Sequence, residues 1–457
     1  MKTLKEIGLI GLGVMGKNIA LNLSDKGVII KGFNDSKEKL NEIKKEFSGT
    51  FEGYTNINDL INSLEKPRTV LLMVPSGKAT KDVIEKIKDL LDEDDIVIDG
   101  GNSFYLDSEE SGLALEQKKI KFIGMGVSGG EEGARNGPAI MVGYKNKVSE
   151  ELKNTLSAIS AKTDQDCIGF YEGYGSGHFV KMVHNGIEYA EMQLIAEIYE
   201  ILRRSKKTNH EIANFFDNLN EEGRSSYLIE ITSKILRLRR RRAYILDQIK
   251  PIANNKGTGK LTVETSLNLK VPAPSIFAAY DARVQSNNKN DWEEINNESE
   301  ASSEKDLSDC LYFGRVASMI QGLKLIDEYI DKVNLDILLN NWTGGCIIRS
   351  NLLKELSNVN STSKDFFNDT KLKKIFEDNL KSTKKIISES VLNSISIPVL
   401  SASYNWYLNL ISLSNPANLI QAQRDFFGRH KVQFINSEED VNIDWEPSDW
   451  FEDDQFE

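Results

Sequence analysis

The chain predicts an α/β Rossmann domain, doubly wound on a mostly parallel sheet, followed by a large all-helical domain and a short acidic tail. Three observations carry that expectation. A glycine-rich turn joins an apolar run to a helical pattern near the N-terminus, strands and helices alternate after it, and long helical periodicities begin near residue 178. At 457 residues the chain exceeds what one core sustains, since single cores stop growing at about 250 to 300 residues. The expected domains are 1–176, 177–435 and 436–457.

Ile7-Gly8-Leu9-Ile10 reads as a buried strand, and Gly11-Leu12-Gly13-Val14-Met15-Gly16 is a G-x-G-x-x-G leading into a helix from Lys17 to Asp25. Glycines in this order let backbone amides approach a pyrophosphate at a helix N-terminus, where the dipole favours negative charge. Gly11, Gly13, Val14, Met15 and Gly16 are therefore candidate cofactor contacts. A second strand, Val28 to Phe33, ends at Asn34-Asp35-Ser36. Asp35 stands about 20 residues beyond the glycines, where an acid grips the ribose 2′-hydroxyl of NAD. The alternation continues with a strand at Thr69 to Met73, a helix at Ala79 to Leu91, a strand at Ile96 to Ile98, a helix at Leu106 to Lys119 and a strand at Lys121 to Ile123. Three turns fall at strand ends, where such sheets bind ligands: Val74-Pro75-Ser76-Gly77, Asp99-Gly100-Gly101-Asn102 and Gly126-Val127-Ser128-Gly129-Gly130. Each alone is a plain turn; together they favour a cofactor crevice.

Gly169, Gly173, Gly175 and Gly177 mark the domain boundary. Helices are expected beyond it at 178–204, 208–218, 226–249, 307–331, 366–389 and 404–413. In the first of these, Lys181, His184, Asn185 and Glu188 lie at i, i+3, i+4 and i+7, one helical face. The surrounding segment, Phe179 to Leu202, is mostly apolar around its circumference, as in a buried helix. A polar stripe there either closes an internal hydrogen-bond network or faces a cavity. A base and an acid side by side suit proton transfer.

Composition narrows the rest. A net charge of −12 argues against nucleic acid as the main partner. Cys167, Cys310 and Cys346 are far apart and show neither a disulfide framework nor metal-ligand spacing, so a reducing, cytoplasmic setting and no metal are expected. The run Ile7 to Met15 imitates a short signal peptide, but glycines interrupt it and Lys17 and Asn18 follow. No stretch reaches the roughly 18 apolar residues of a membrane span. The acidic end, Asn436 to Glu457, carries Trp445, Trp450 and Phe451 and shows no chemistry.

Six blocks then carry a resemblance. They are Gly177-His178-Phe179-Val180-Lys181-Met182-Val183-His184-Asn185-Gly186-Ile187-Glu188-Tyr189, Asp99-Gly100-Gly101-Asn102-Ser103, Val127 to Arg135, Lys256-Gly257-Thr258-Gly259-Lys260, Gly345-Cys346-Ile347-Ile348-Arg349 and Pro416 to Gly428. Through these blocks, spread over both expected domains and nearly its whole length, the chain resembles the 6-phosphogluconate dehydrogenases. The resemblance implies oxidative decarboxylation of 6-phosphogluconate to ribulose 5-phosphate and carbon dioxide, a step of the pentose phosphate pathway, with hydride transfer to NAD or NADP. It implies that Lys181 takes the proton of the 3-hydroxyl and that Glu188 later protonates C1 of the enediol. To act as a base, lysine must fall below its usual pKa of about 10.4, which a buried helix could supply. Protonated Lys181 can itself polarise the 3-keto oxygen, so no metal is needed. Asn185 and His184 would hold the sugar acid, with Asn102, Ser128, Gly129 and Gly130 completing the reaction face. Tyr189, Lys256, Arg283, Arg424 and His430 match positions that contact the substrate, largely at its phosphate. Glu191 lies at the stripe's edge, and the motif favours Glu188. In the family the C-terminal segment completes the partner subunit's site, which implies a homodimer.

The departures matter. Members that use NADP carry Asn-Arg-Thr after the second strand, the arginine pairing with the 2′-phosphate, whereas this chain has Asn34-Asp35-Ser36. A carboxylate repels that phosphate and accepts hydrogen bonds from a free ribose diol, so NAD is expected over NADP, with Lys37 and Lys39 softening the choice. Arg237-Leu238-Arg239-Arg240-Arg241-Arg242 replaces a more acidic or glycine-containing stretch; on a helix it reads as a solvated end, or else as an anion or nucleic-acid contact. Leu261, Thr343 and Asn254-Asn255 also depart, and bear on local packing. Two other readings remain: a smaller β-hydroxyacid dehydrogenase, which has no need of Lys256, Arg424 and His430, and a non-catalytic sugar-phosphate-binding homologue, which has no use for Lys181 with Glu188.

Overall fold

The apolar run at the N-terminus forms strand β1 (Glu6–Ile10), whose alternate side chains feed two cores: Ile7 and Leu9 enter one apolar cluster and Ile10 the other. Burial on both faces is why the strand is a continuous apolar run rather than an alternating one. The computed structural model describes residues 2–145, 147–254, 257–288, 302–358 and 369–445. In order after β1 come α1 (Val14–Asp25), β2 (Ile29–Phe33), α2 (Lys37–Lys44), β3 (Phe51–Tyr54), α3 (Ile57–Ser63), β4 (Thr69–Leu72), α4 (Lys78–Ile87), β5 (Ile96–Asp99), α5 (Tyr105–Glu116), β6 (Lys121–Ser128), α6 (Gly130–Asn136), β7 (Ala139–Tyr144), α7 (Glu150–Ile159) and β8 (Ile168–Glu172). The sheet order is β3-β2-β1-β4-β5-β6-β7-β8, parallel throughout except for the antiparallel pair β6–β7. The order reverses beside β1, between β2 and β4, which is the crevice where sheets of this kind bind ligands.

Helices follow the sheet: α8 (Ser176–Arg204), α9 (Asn209–Glu221) and α10 (Tyr227–Arg237), then, after a small hairpin, α11 (Thr258–Asn268), α12 (Pro274–Gln285), α13 (Glu304–Tyr329), α14 (Leu335–Asn341), α15 (Asn351–Ser357), α16 (Thr370–Leu392), α17 (Pro398–Ile411) and α18 (Ala417–Gly428). By compactness the chain divides into two units, Met1–Tyr404 and Asn405–Glu457. In the first, α8 packs on β6 and β7 with one face and on α11, α12 and α13 with others. Glycines make the sheet contact possible. A Cβ on Gly126 would come within 2.6 Å of the Cβ of Lys181, and one on Gly177 would meet the carbonyls of Gly124 and Met141 at 2.3 Å. Farther along α8, the buried Glu197 accepts from the amides of Val399 (2.9 Å) and Leu400 (3.0 Å), capping α17.

In the second unit the carboxylate of Asp425 accepts from the amides of Ile443 and Lys431 and from the indole of Trp445, so the segment after α18 folds around one side chain. These donors, the Ile443 amide first, hold its carboxyl below the ordinary range. Leu419, Ile420, Phe426, Phe427, Phe434 and Ile435 stay exposed.

Two sequence expectations change. The helix expected over 226–249 ends at Arg237, and Arg239–Arg240 pairs with Ala243–Tyr244 as a two-stranded hairpin, β9–β10. The apolar period of α10 stops at buried Leu236, and residues 238–243 are all exposed, so no packing holds a longer helix. The turn expected at Gly126-Val127-Ser128 is instead the end of β6, paired with β7, and the chain turns only at Gly129. Of the helix expected over 366–389, residues 366–368 lie outside the described residues, as does Lys256. Among the described residues no helix is long and apolar enough to cross a membrane.

Candidate active site

Helix α8 carries Lys181 to a small cavity of about 20 Å³, lined also by Asn102, Phe104, His178, Asn185 and Thr258. Lys181 Nζ donates to Asn185 Oδ1 (2.8 Å) and Ser128 Oγ (3.0 Å) and lies 3.3 Å from His184 Nδ1. His184 Nε2 is 3.4 Å from the same Ser128 hydroxyl. The stripe is thus a closed network that also borders a cavity. Ser128 takes part because it is the last residue of β6, where α8 crosses the sheet.

Electrostatics set the protonation states. Burial pushes the Lys181 ammonium below its usual range, partly opposed by Glu188 and Cys346. Burial and then Lys181 push His184 well down, so its ring is neutral. The 3.9 Å approach of His184 Nδ1 to Glu188 Oε2 is therefore no ion pair. Burial raises the Glu188 carboxyl, against Lys181 and Arg283. The base is easier to deprotonate and the acid easier to protonate, the direction proton shuttling needs. Cys346 is buried, with its thiol pushed up to about 12 by burial and its Sγ on the Trp342 carbonyl, which leaves it inert.

The remaining expected residues divide into three groups. Asn102, at φ 53°, exchanges hydrogen bonds with both the amide (2.9 Å) and carbonyl (3.1 Å) of Val127, fixing its loop against β6 beside Ser128. Gly129 and Gly130, both at positive φ, make the turn into α6. Arg283 on α12 lies 3.6 Å from the centre of the Tyr189 ring, which joins this pair to the Glu188 end of the stripe. Arg424 and His430 belong to the second unit, exposed, with Arg424 donating to Gln421 Oε1 (2.9 Å). Glu191 is wholly buried and faces Arg315 at 3.6 Å. His178 was overlooked as a site residue. It lies three residues before Lys181, extends the stripe by one turn, lines the cavity and holds Ser108 Oγ at 2.7 Å.

The glycine turn suits a dinucleotide. Added Cβ atoms at Gly11 and Gly16 would strike Met73 O at 2.5 Å and Gly11 O at 1.9 Å, whereas one at Gly13 meets only open space. Helix α1 has no side-chain cap and no acid in its first turn, which leaves the amides around Val14 and Met15 to an anion. Val74 is half-buried, and Pro75 and Ser76 are exposed in the turn after β4, the strand next to β1. After β2, Asn34 Oδ1 accepts from the Ser36 amide (3.0 Å) and Ser36 caps α2, which leaves Asp35 exposed. Ser36 Oγ also donates to Glu38 (2.9 Å), a second carboxylate in this segment that the sequence reading passed over. Among the described residues no group of His, Cys, Asp and Glu is arranged to hold a metal.

A doubly wound sheet with this glycine turn, joined to a helix bearing a depressed lysine and a raised carboxyl, defines an NAD(P)-dependent oxidoreductase. The comparisons with known proteins narrow the class. Residues 6–170 match the NAD binding domain of 6-phosphogluconate dehydrogenase, and residues 177–445 match that enzyme's C-terminal domain. The chain belongs to the 6-phosphogluconate dehydrogenase family. It is 36% identical to the decarboxylating 6-phosphogluconate dehydrogenase of Ceratitis capitata, covering 97% of each chain. It is 37% identical to that of Staphylococcus aureus (strain N315), over 96% of this chain and 99% of the other. The Plasmodium falciparum 6-phosphogluconate dehydrogenase, solved apo and in complex with its cofactor NADP+ and with its substrate 6-phosphogluconate, superposes with a TM-score of 0.90. It is 36% identical, over 96% of this chain and 100% of that one.

Proposed function

We propose that the chain oxidises and decarboxylates 6-phosphogluconate to ribulose 5-phosphate, in the cytoplasm, with NAD preferred over NADP. The observation that carries the reading is the Lys181 network: a buried amine held by Ser128 and Asn185, at the edge of a cavity, on the same helix face as Glu188. Neutral Lys181 takes the proton of the 3-hydroxyl. When bound, the nicotinamide accepts the hydride from C3. The resulting ammonium polarises the 3-keto oxygen while the C1–C2 bond breaks and carbon dioxide leaves, and it gives its proton to that oxygen, leaving the enediol and neutral Lys181. Glu188 then gives its proton to C1 of the enediol, and the enediol hydroxyl returns a proton to Lys181. His184, neutral, orients the sugar acid through hydrogen bonds rather than charge, with Asn102, Ser128, Gly129 and Gly130 around the reacting carbons. Tyr189, Arg283, Lys256, Arg424 and His430 take the phosphate end.

NAD preference follows from two carboxylates, Asp35 and Glu38, after β2, where a 2′-phosphate would sit. Asp35→Arg raises kcat/KM for NADP relative to NAD by about 10- to 100-fold; a parent enzyme that already prefers NADP overturns the preference. Exposed Leu419, Phe426 and Phe427 on the helix that carries Arg424 support a homodimer whose C-terminal segment completes the partner's site. The deciding experiment is cofactor reduction with 6-phosphogluconate, with carbon dioxide release followed in parallel. A parent enzyme that reduces neither NAD nor NADP overturns the whole reading.

A further inference from the structure

The β9–β10 hairpin is locally costly in three ways. Arg241 and Arg242 form the two-residue turn closed by the Arg240–Ala243 pair, at φ 51° and 74°. Hairpin turns of this kind favour Asn-Gly, because other side chains are strained in the left-handed region. Arg239 to Arg242 also crowd four like charges into four consecutive exposed positions. Finally, among the described residues only the Arg239 side chain has an internal partner, lying 4.1 Å from the centre of the Tyr244 ring and donating to its hydroxyl; the guanidinium groups of Arg240, Arg241 and Arg242 make no hydrogen bond or ion pair. Strain and repulsion with no internal offset imply a partner outside the chain.

We propose that this hairpin docks on an anionic lipid surface. Charge selects an anion, and a run of arginines beside exposed apolar side chains suits a headgroup layer. Leu238 just before β9 is 55% exposed, and Ile249 and Ile252 beyond β10 are 58% and 47% exposed. A single-stranded nucleic acid needs an aromatic face for its bases, and Arg239 already covers Tyr244.

The test uses the full-length protein and cosedimentation with vesicles of phosphatidylcholine containing roughly one third phosphatidylserine. The parent binds these vesicles in a salt-sensitive manner and leaves pure phosphatidylcholine vesicles in solution. The triple variant R240Q/R241Q/R242Q binds about a hundredfold less tightly, at about fivefold per arginine. A second variant, R241N/R242G, melts at a higher temperature than the parent because it supplies the residues the turn favours, yet binds vesicles more weakly. Dehydrogenase activity is unchanged in both. Equal binding by parent and triple variant, equal binding to neutral vesicles, or binding to single-stranded RNA in place of vesicles overturns the proposal.

Discussion

Lys181 and Arg424 are both cations on helices, and their surroundings are opposite. Around Lys181 every polar neighbour comes from the same compact unit, and burial has already shifted the charges. Arg424 itself is exposed, its hydrogen bond among the described residues runs to Gln421 a turn away, and Phe426 and Phe427 next to it face solvent. The first region is preorganised, with its desolvation cost met on folding; the second is a surface whose binding energy awaits something to cover it.

The largest expected effect isolates the first region. Lys181→Met lowers kcat with 6-phosphogluconate by about a thousandfold or more, while the substrate dissociation constant moves only a few-fold, because the methionine keeps the packing and loses the base. A variant with undiminished kcat removes Lys181 from the mechanism. Next, Arg424→Gln raises KM about 10- to 100-fold through the lost phosphate contact. Mixing it with Lys181→Met after unfolding and co-refolding restores part of the activity if the two residues serve one site from different chains. Absence of any recovery, with mixed dimers demonstrated, places them in the same chain.

Smaller effects sharpen the comparison. The pH profile of kcat/KM is a bell whose acid limb lies above the 4.5 of a free glutamate and whose alkaline limb lies below the 10.5 of a free lysine, since burial raises Glu188 and lowers Lys181. Limbs at the free values mean the site is wetter than the buried network allows. Glu197, pushed up to about 7 from 4.5 by burial, affects stability instead. A raised folded-state pKa contributes stability that is full below about pH 4.5 and is lost as pH rises through about 7, roughly 3 kcal/mol by pH 8. Urea midpoints at pH 5 and pH 8 read this loss, and Glu197→Gln flattens it.

What was legible in the sequence was what short-range periodicity encodes. The glycine turn, the apolar strands and the stripe at i, i+3, i+4 and i+7 all survive into the structure, because each depends on neighbours within two helical turns. Long-range partners were not legible. Ser128 joins Lys181 only because β6 runs on to residue 128 beneath α8, and Arg283 reaches Tyr189 only through the packing of α12 on α8. The hairpin at Arg239 was misread because charge patterning describes a surface without saying which backbone carries it. His178 was passed over because one histidine in an apolar helix looks like core, and only the cavity shows that it extends the stripe.

The glycines under α8 also bear on how this enzyme could be changed. Where Gly126 and Gly177 meet Lys181 and the carbonyls of Gly124 and Met141, backbone touches backbone, and the added Cβ atoms would lie 2.3 to 2.6 Å from the nearest atoms. One extra carbon there displaces the lysine's own Cβ, so the root of that side chain is set by main chain, while Ser128 and Asn185 hold its amine. A designer seeking a new substrate has freedom at Thr258 or Phe104 in the cavity wall and almost none at this seam.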